Sequence, residues 1–284
     1  MAVLANTTIT TDVAPEISYD ISASLADGYR KLAEILGVSR MDAVPEGSAI
    51  KIYKSAVKGS VGAQVAEGDV INLTEVERVA TPYTMTLKKY RKLVTAEAIQ
   101  KSGRDIAIYD TDRALIKAIR KEVKTDFFTF LGGAGGTATA GSNLQTQLAN
   151  NWGAMQAYFE DEDVEPVHFV SPTDVATYLG TAQITMQSDF GFSYVENFLG
   201  LGTVIIANDV TAGDVFSTAK ENLHCAYVPA NGSVGQEFEL TADESGLVGV
   251  THDRVNDRAS IGSLMMTGVK FFAEDLAGVF KGTF

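Results

Sequence analysis

The 284-residue chain is 45% hydrophobic and 21% charged, with a formal charge of −13 and one cysteine. That composition excludes wholesale disorder and a disulfide scaffold, and it suits one large domain or two modest ones. No stretch reaches the roughly 20 apolar residues that span a bilayer. The start, Met1-Ala-Val-Leu-Ala-Asn-Thr-Thr, lacks the basic region and apolar core of a signal peptide, so an intracellular chain is expected and the sequons at Asn6 and Asn72 are read as chance matches.

Charge is unevenly spread. Residues 1–130 hold 18 Lys/Arg against 17 Asp/Glu, whereas residues 131–284 hold 5 against 19. A reader of nucleic acid carries a basic patch or stripe. The second half here is the reverse and repels polyanions over the roughly 8–10 Å that physiological salt allows. Bases and acids kept on separate segments suit contacts between the first half of one copy and the second half of another.

In chain order, residues 1–20 are rich in Thr, Ala and Val and read as an extended arm. Ser22 or Ser24 caps a helix to about Leu36, with Leu25, Tyr29, Leu32, Ile35 and Leu36 on one stripe and Gly37 as its stop. After a turn at Pro45-Glu-Gly, Ile50 to Val57 alternates as a strand, with Lys51, Lys54 and Lys58 pointing out along it. Gly59-Ser-Val-Gly and Glu67-Gly68-Asp69 punctuate the path to Val70-Ile-Asn-Leu and a second strand, clearest at Tyr83, Met85 and Leu87. The phase slips in Lys88-Lys-Tyr-Arg-Lys92, which predicts a bulge or a change of surroundings. Two long strands with a glycine-rich tip and little apolar bulk are marginal alone in water. A neighbouring subunit is the surface they need.

Thr95 caps a short helix that Gly103 stops, and Asp110-Thr-Asp opens the longest helix. Leu115, Ile119, Val123, Phe127 and Leu131 form its i, i+4 stripe. About 22 residues give a rod of roughly 33 Å. Gly132-Gly-Ala-Gly-Gly ends it and marks the clearest domain boundary. Beyond Gly141 the texture is α/β, with helices over Leu144–Phe159 and Thr173–Leu179 and strands over Val167–Val170, Gly202–Ala207 and Leu223–Val228. From Phe238 the pattern is β again, at Leu247–Thr251, Ile261–Met266, Val269–Phe272 and the segment after Gly278.

No catalytic, metal or cofactor constellation emerges. Gly133-Ala-Gly135-Gly-Thr-Ala138 fits the G-x-G-x-x-A dinucleotide pattern, but that pattern needs a preceding strand and a following helix N-terminus. Here it follows a helix and reads as a hinge. His168, His224 and His252 are far apart and read as satisfied core or surface imidazoles, and Cys225, in an apolar run, as a buried inert thiol. Glu160-Asp-Glu-Asp163 lacks calcium-loop spacing and reads as a solvated helix end. No G-x-S-x-G elbow is present. The basic run (Lys88, Lys89, Arg91, Lys92) reads as a contact with an acidic partner surface. Tyr90 within it leaves a nucleic-acid contact open, without an RNP motif to support one.

Val65-Ala-Glu-Gly-Asp-Val-Ile, then Thr86-Leu-Lys-Lys-Tyr-Arg-Lys-Leu-Val-Thr-Ala-Glu-Ala-Ile99, Thr111-Asp-Arg, Asp126-Phe-Phe128 and Met266-Thr-Gly-Val-Lys-Phe-Phe-Ala273 resemble tailed-bacteriophage major capsid proteins of the Hong Kong ninety-seven type. The resemblance implies an α+β fold. Residues 1–44 would form an N-terminal arm and 45–94 an extended β-hairpin loop. Residues 95–140 would form a peripheral domain with its long spine helix, 141–235 an α/β axial domain, and 236–284 the strands returning to the peripheral domain. It implies a virion protein assembled in the host cytoplasm, with pentamers and hexamers of itself, a separate scaffolding protein, a portal and enclosed double-stranded DNA as partners. Some members cross-link a lysine to a neighbour's asparagine. Lys51, Lys54 and Lys58 lie on the corresponding segment, but no motif specifies the bond. The competing readings are an encapsulin-type compartment, an α/β enzyme with an unrecognised site, and a monomeric binding module.

Overall fold

The computed structural model describes residues 10–36, 38, 41–58, 75–159, 164–180, 187–189, 192–242 and 246–284. The chain begins with α1 (Thr10–Ile35), β1 (Met41–Ala43), β2 (Ala49–Lys58), β3 (Glu75–Thr84) and β4 (Lys88–Thr95). Next come α2 (Ala96–Ser102), α3 (Arg104–Leu131), β5 (Gly136–Thr137), α4 (Leu144–Tyr158), β6 (Pro166–Val170) and α5 (Pro172–Leu179). Short strands follow: β7 (Gln187–Asp189), β8 (Phe192–Val195), β9 (Thr203–Ile206), β10 (Asp214–Ala219) and β11 (Leu223–Tyr227). The remainder is α6 (Ser233–Glu237), β12 (Thr241–Ala242), β13 (Val248–Val255), β14 (Ser260–Thr267), β15 (Lys270–Ala273) and β16 (Phe280–Thr283).

Two helices start earlier than the sequence suggests. Thr10–Asp20 belong to the 26-residue α1 rather than to an extended arm, and neither Ser22 nor Ser24 caps it. Pro15 and the threonines disfavour helix locally, but propagation from an amphipathic body is cooperative. That body buries Ser22, Leu25, Tyr29, Leu32 and Leu36. The side chain of Ile35, residue Gly37, the hairpin tip and the acid run 160–163 lie outside the described residues. The long helix α3 starts at Arg104, capped by Gly103 at φ 83°, so its 28 residues span about 42 Å. Asp110-Thr-Asp is therefore interior to the helix, not its start.

One core cluster joins Leu25 and Tyr29 of α1, Ile119, Val123, Phe127 and Leu131 of α3, and Val250 and Met265 of the four-stranded sheet β12-β13-β14-β4. The same cluster takes in Phe169 and Ile205 from a seven-stranded sheet ordered β5-β16-β10-β6-β9-β8-β7. The opposite face of that sheet, with Val170, Val204, Ile206 and Val215, packs under Leu144 and Leu148 of α4 and Val175 of α5. A sheet buried on both sides needs nearly continuous apolar strands, and β6 and β9 have them.

β16 lies inside the seven-stranded sheet, between β5 and β10, rather than beside β13 and β14. A Cβ on its Gly282 would run into the buried side-chain ends of Gln147 and Asn151, which are hydrogen-bonded to each other. The glycine segment after α3, expected to hinge, is clamped to the same region. Gly135 N–H donates to Leu276 O (2.8 Å) and Gly136 N–H to Val279 O (3.0 Å). A Cβ on Gly136 would meet the Phe280 ring at 2.7 Å. Close approach, not phosphate binding, is what these glycines permit.

A buried polar chain crosses the seven-stranded sheet. Gln147 Nε2 donates to Asn151 Oδ1 (2.7 Å), and Asn151 Nδ2 donates to Ser217 Oγ (2.8 Å). His168 holds Ser217 Oγ at Nδ1 (2.7 Å) and Leu201 O at Nε2 (3.0 Å). A carbonyl can only accept, so the proton sits on Nε2 and Nδ1 accepts from Ser217. Burial pushes the His168 pKa down from 6.5 to about 4. The unfolded chain therefore binds a proton between those values that the folded chain does not, and stability is lost as pH falls through that window. Unfolding in urea at pH 7 and pH 4.5 is expected to show about 2–3 kcal/mol lost through this residue. His168→Gln removes that share of the slope; an unchanged slope would refute the assignment.

Candidate assembly surface

β2 and β3 form a ten-pair antiparallel ladder from Ala49↔Thr84 to Lys58↔Glu75. Neither pairs with a third strand among the described residues. Ten residues of strand extend about 33 Å. The root is firmly held. Gly47 N–H donates to Met85 O and Met85 N–H to Ser48 O, both at 3.1 Å. Tyr83 packs on Phe272 and Phe130, with ring centroids 5.0 and 5.7 Å away, and its hydroxyl donates to Ala273 O. Met85 and Leu87 are buried with Val228 and Met266. The side chains of Lys51, Lys54 and Lys58 lie outside the described residues.

The phase slip in the basic run is a change of surroundings, not a bulge. β4 runs in unbroken register with β14, from Lys88↔Thr267 to Thr95↔Ser260, after the chain leaves β2 behind at Thr84. Alternation then splits the basic residues between two faces. Lys88, Tyr90 and Lys92 turn to α3. Lys88 Nζ pairs with Glu122 at 2.8 Å and with Asp126, and the Tyr90 hydroxyl donates to Glu122 at 3.0 Å. Lys92 Nζ lies 2.6 Å from Asp112 Oδ1 and donates to Ile108 O and Thr111. Lys89 and Arg91 point the other way, exposed beside Leu93, with no ion pair among the described residues.

Burial lowers the Lys88 pKa, but its bonds to Asp126 and Glu122 outweigh this and leave it raised. The Glu122 carboxyl is lowered, chiefly by the Lys88 bond. Burial raises the Tyr90 hydroxyl and Glu122 adds to it. Lys92 is lowered by burial, against the pull of Asp112. Asp112 is only 1% exposed and also holds His252 Nε2 at 3.1 Å, so one buried carboxylate ties α3 to β4 and β13. The sequence reading missed this hub. Its signal was an acid in line with Ile108, Ile116 and Ile119 on the buried stripe.

The remaining candidates are structural. Cys225 is buried, and desolvation pushes its thiol well above the ordinary value. His224 faces Glu274 at 3.1 Å. Among the described residues no group of three or more His, Cys, Asp or Glu side chains could hold a metal, and no helix is long and apolar enough to cross a membrane. What the geometry offers is a hairpin rooted in the core and a strand with two exposed cations, Lys89 and Arg91.

This arrangement of hairpin, long helix and layered α/β sheet is the Hong Kong ninety-seven type capsid-shell fold. The virus-like particle from Pyrococcus furiosus matches with a TM-score of 0.52 at 14% identity, over 92% of this chain and 97% of that one. The mature capsid of bacteriophage PhiM1 matches with a TM-score of 0.54 at 10% identity, over 88% and 86%. The SrpI encapsulin from Synechococcus elongatus PCC 7942 matches with a TM-score of 0.53 at 12% identity, over 86% and 84%. No family model matches the sequence, and no curated protein does.

Proposed function

We propose that this chain is the major capsid protein of a tailed bacteriophage, a structural subunit without catalytic function. It would form pentamers and hexamers of an icosahedral shell around double-stranded DNA in the virion. The observation that carries the reading is the β2–β3 ladder, rooted in the core yet paired with no third strand among the described residues. Identical subunits in head-to-tail contact close into rings, and a hairpin laid on the next subunit repeats one weak contact around each ring. Effective concentration then makes many weak contacts strong.

In this reading residues 1–44 are the N-terminal arm, containing α1, and 45–94 the extended loop. Residues 95–140 hold the spine helix α3, 141–235 form the axial domain with β16 added, and 236–284 otherwise return to the peripheral domain. Lys89 and Arg91, with Lys51, Lys54 and Lys58, contact an acidic neighbour, while Lys88 and Lys92 set β4 on its own helix. A separate scaffold and a portal complete the assembly in the host cytoplasm.

The fold match to an encapsulin favours a second reading, a compartment enclosing protein. Negative-stain microscopy of the purified protein is expected to show closed shells of uniform diameter. A solution of single polypeptides at every concentration would rule out both readings. Particles from the native source separate them: nuclease-protected double-stranded DNA supports the capsid, and a protein cargo without DNA supports the compartment.

A further inference from the structure

Lys92, Asp112 and His252 meet in a nearly closed site between β4, α3 and β13, with side chains 14%, 1% and 6% exposed. The pairs Lys88–Glu122, Lys220–Glu165 and Lys281–Asp214 differ, since their carboxylates are 43%, 60% and 19% exposed and stay open to water. Asp112 instead lies one turn from Ile108 and one turn from Ile116, both buried.

The hydrogen bonds around Lys92 Nζ fix where its lone pair can point. Nζ donates to Ile108 O at 2.9 Å and to Thr111 Oγ1. Thr111 Oγ1 directs its own proton to the carbonyls of Ala107 and Ile108, so it can only accept from the lysine. Those two bonds use both N–H groups of a neutral amine. The remaining approach is to Asp112 Oδ1, 2.6 Å away, yet that oxygen is buried and accepts no hydrogen bond among the described residues. Close contact without a shared proton is the way an amine nucleophile meets a carboxyl group. Burial lowers the Lys92 pKa against the pull of Asp112, which favours the amine form.

We propose that Lys92 and Asp112 condense to an amide within one chain, a covalent tie between β4 and α3. Chains caught before the reaction hold the ion pair. Transfer of one ammonium proton to the carboxylate gives a neutral amine and a carboxylic acid, the state that burial favours over two ions. Nζ then attacks Asp112 Cγ, and the carbonyl electrons move to Oδ1. His252 Nε2, 3.1 Å from Oδ2, delivers a proton to that oxygen and is restored by the proton that Nζ sheds. The Cγ–Oδ2 bond breaks, Oδ2 leaves as water and Oδ1 regains its double bond. One amide and one water replace one ammonium and one carboxylate, with no change of oxidation state. Proximity supplies the rate, because groups held in contact react as though at very high concentration. Exclusion of water supplies the direction, because a site that penalises two ions penalises a neutral amide far less. The tie lies inside the subunit, so it neither joins copies nor depends on the shell reading.

Intact-mass spectrometry of the full chain is expected to fall one water, about 18 Da, below the value its sequence sets. A tryptic digest should yield a branched peptide joining residues 92–101 to residues 105–113. Lys92→Arg keeps a positive charge beside Asp112 but has no amine to acylate, so its mass should match its sequence. His252→Gln should leave most of the freshly purified chain at full mass, with the bond forming about 100-fold more slowly. A full-mass chain without the branched peptide overturns the proposal. So does a water loss that persists in Lys92→Arg, which would mark a cyclised aspartate elsewhere. Joining at an undiminished rate in His252→Gln overturns the part given to His252.

Discussion

Replacing Lys51–Pro82 by an Asn-Gly turn is expected to abolish shell formation while leaving the subunit folded. Ile50 and Tyr83 are paired across the ladder, so a two-residue turn closes the gap without displacing either strand. The retained root keeps Tyr83 on Phe130 and Phe272 and keeps Met85 and Leu87 in their cluster. The excised strands hydrogen-bond in a sheet only with each other among the described residues, so their removal should change the unfolding free energy by no more than about 1 kcal/mol. In the proposed shell each lost intersubunit contact would recur at every position of a ring, so small losses would multiply. Sedimentation velocity gives the answer directly. Particles of normal size from the shortened chain would show that the hairpin is dispensable, and a large drop in subunit stability would show that it belongs to its own core.

Asp112→Ala is expected to cost roughly 3–5 kcal/mol. It strands Lys92 and removes the carboxylate oxygen that faces His252 Nε2, both in a nearly closed site. Removing one partner of a buried ion pair leaves the other charge uncompensated, which is worse than never having built the pair. Lys92 cannot swing away cheaply, since Ile108 O and Thr111 also hold it. Asp112→Asn keeps the shape and one acceptor and should lose about half as much. Urea midpoints of the two variants at pH 7 measure both. Equal, small losses would mean that the carboxylate is not the tie between α3, β4 and β13.

Much of this architecture can be read from side-chain periodicity. The stripe from Leu115 to Leu131, the alternation at Tyr83, Met85 and Leu87, and the buried runs in β6 and β9 each obey one period and appear in the structure as read. Helix starts were less legible. Thr10–Asp20 and Arg104–Tyr109 are helical because a strong downstream face propagates backward through weak formers, an effect no local residue announces. The basic run shows a subtler limit. Its composition suggested one contact surface, whereas strand alternation sends Lys88 and Lys92 to the chain's own acids and only Lys89 and Arg91 outward. Which acids would meet them depends on Glu122 and Asp112, two turns or more away on α3, and on the register of β4 against β14.

The placement of β16 sets an order on biosynthesis. β5 and β10 flank it, Gly136 pairs with Phe280, and Gln147 fills the space that Gly282 leaves open. Until residues 280–283 are made, β5 has no strand to pair with, β10 is left as the edge of the sheet, and α4 rests over an unfinished floor. Pairings so distant in sequence form slowly. In the proposed shell, a chain lacking these residues would present no finished domain to its neighbours.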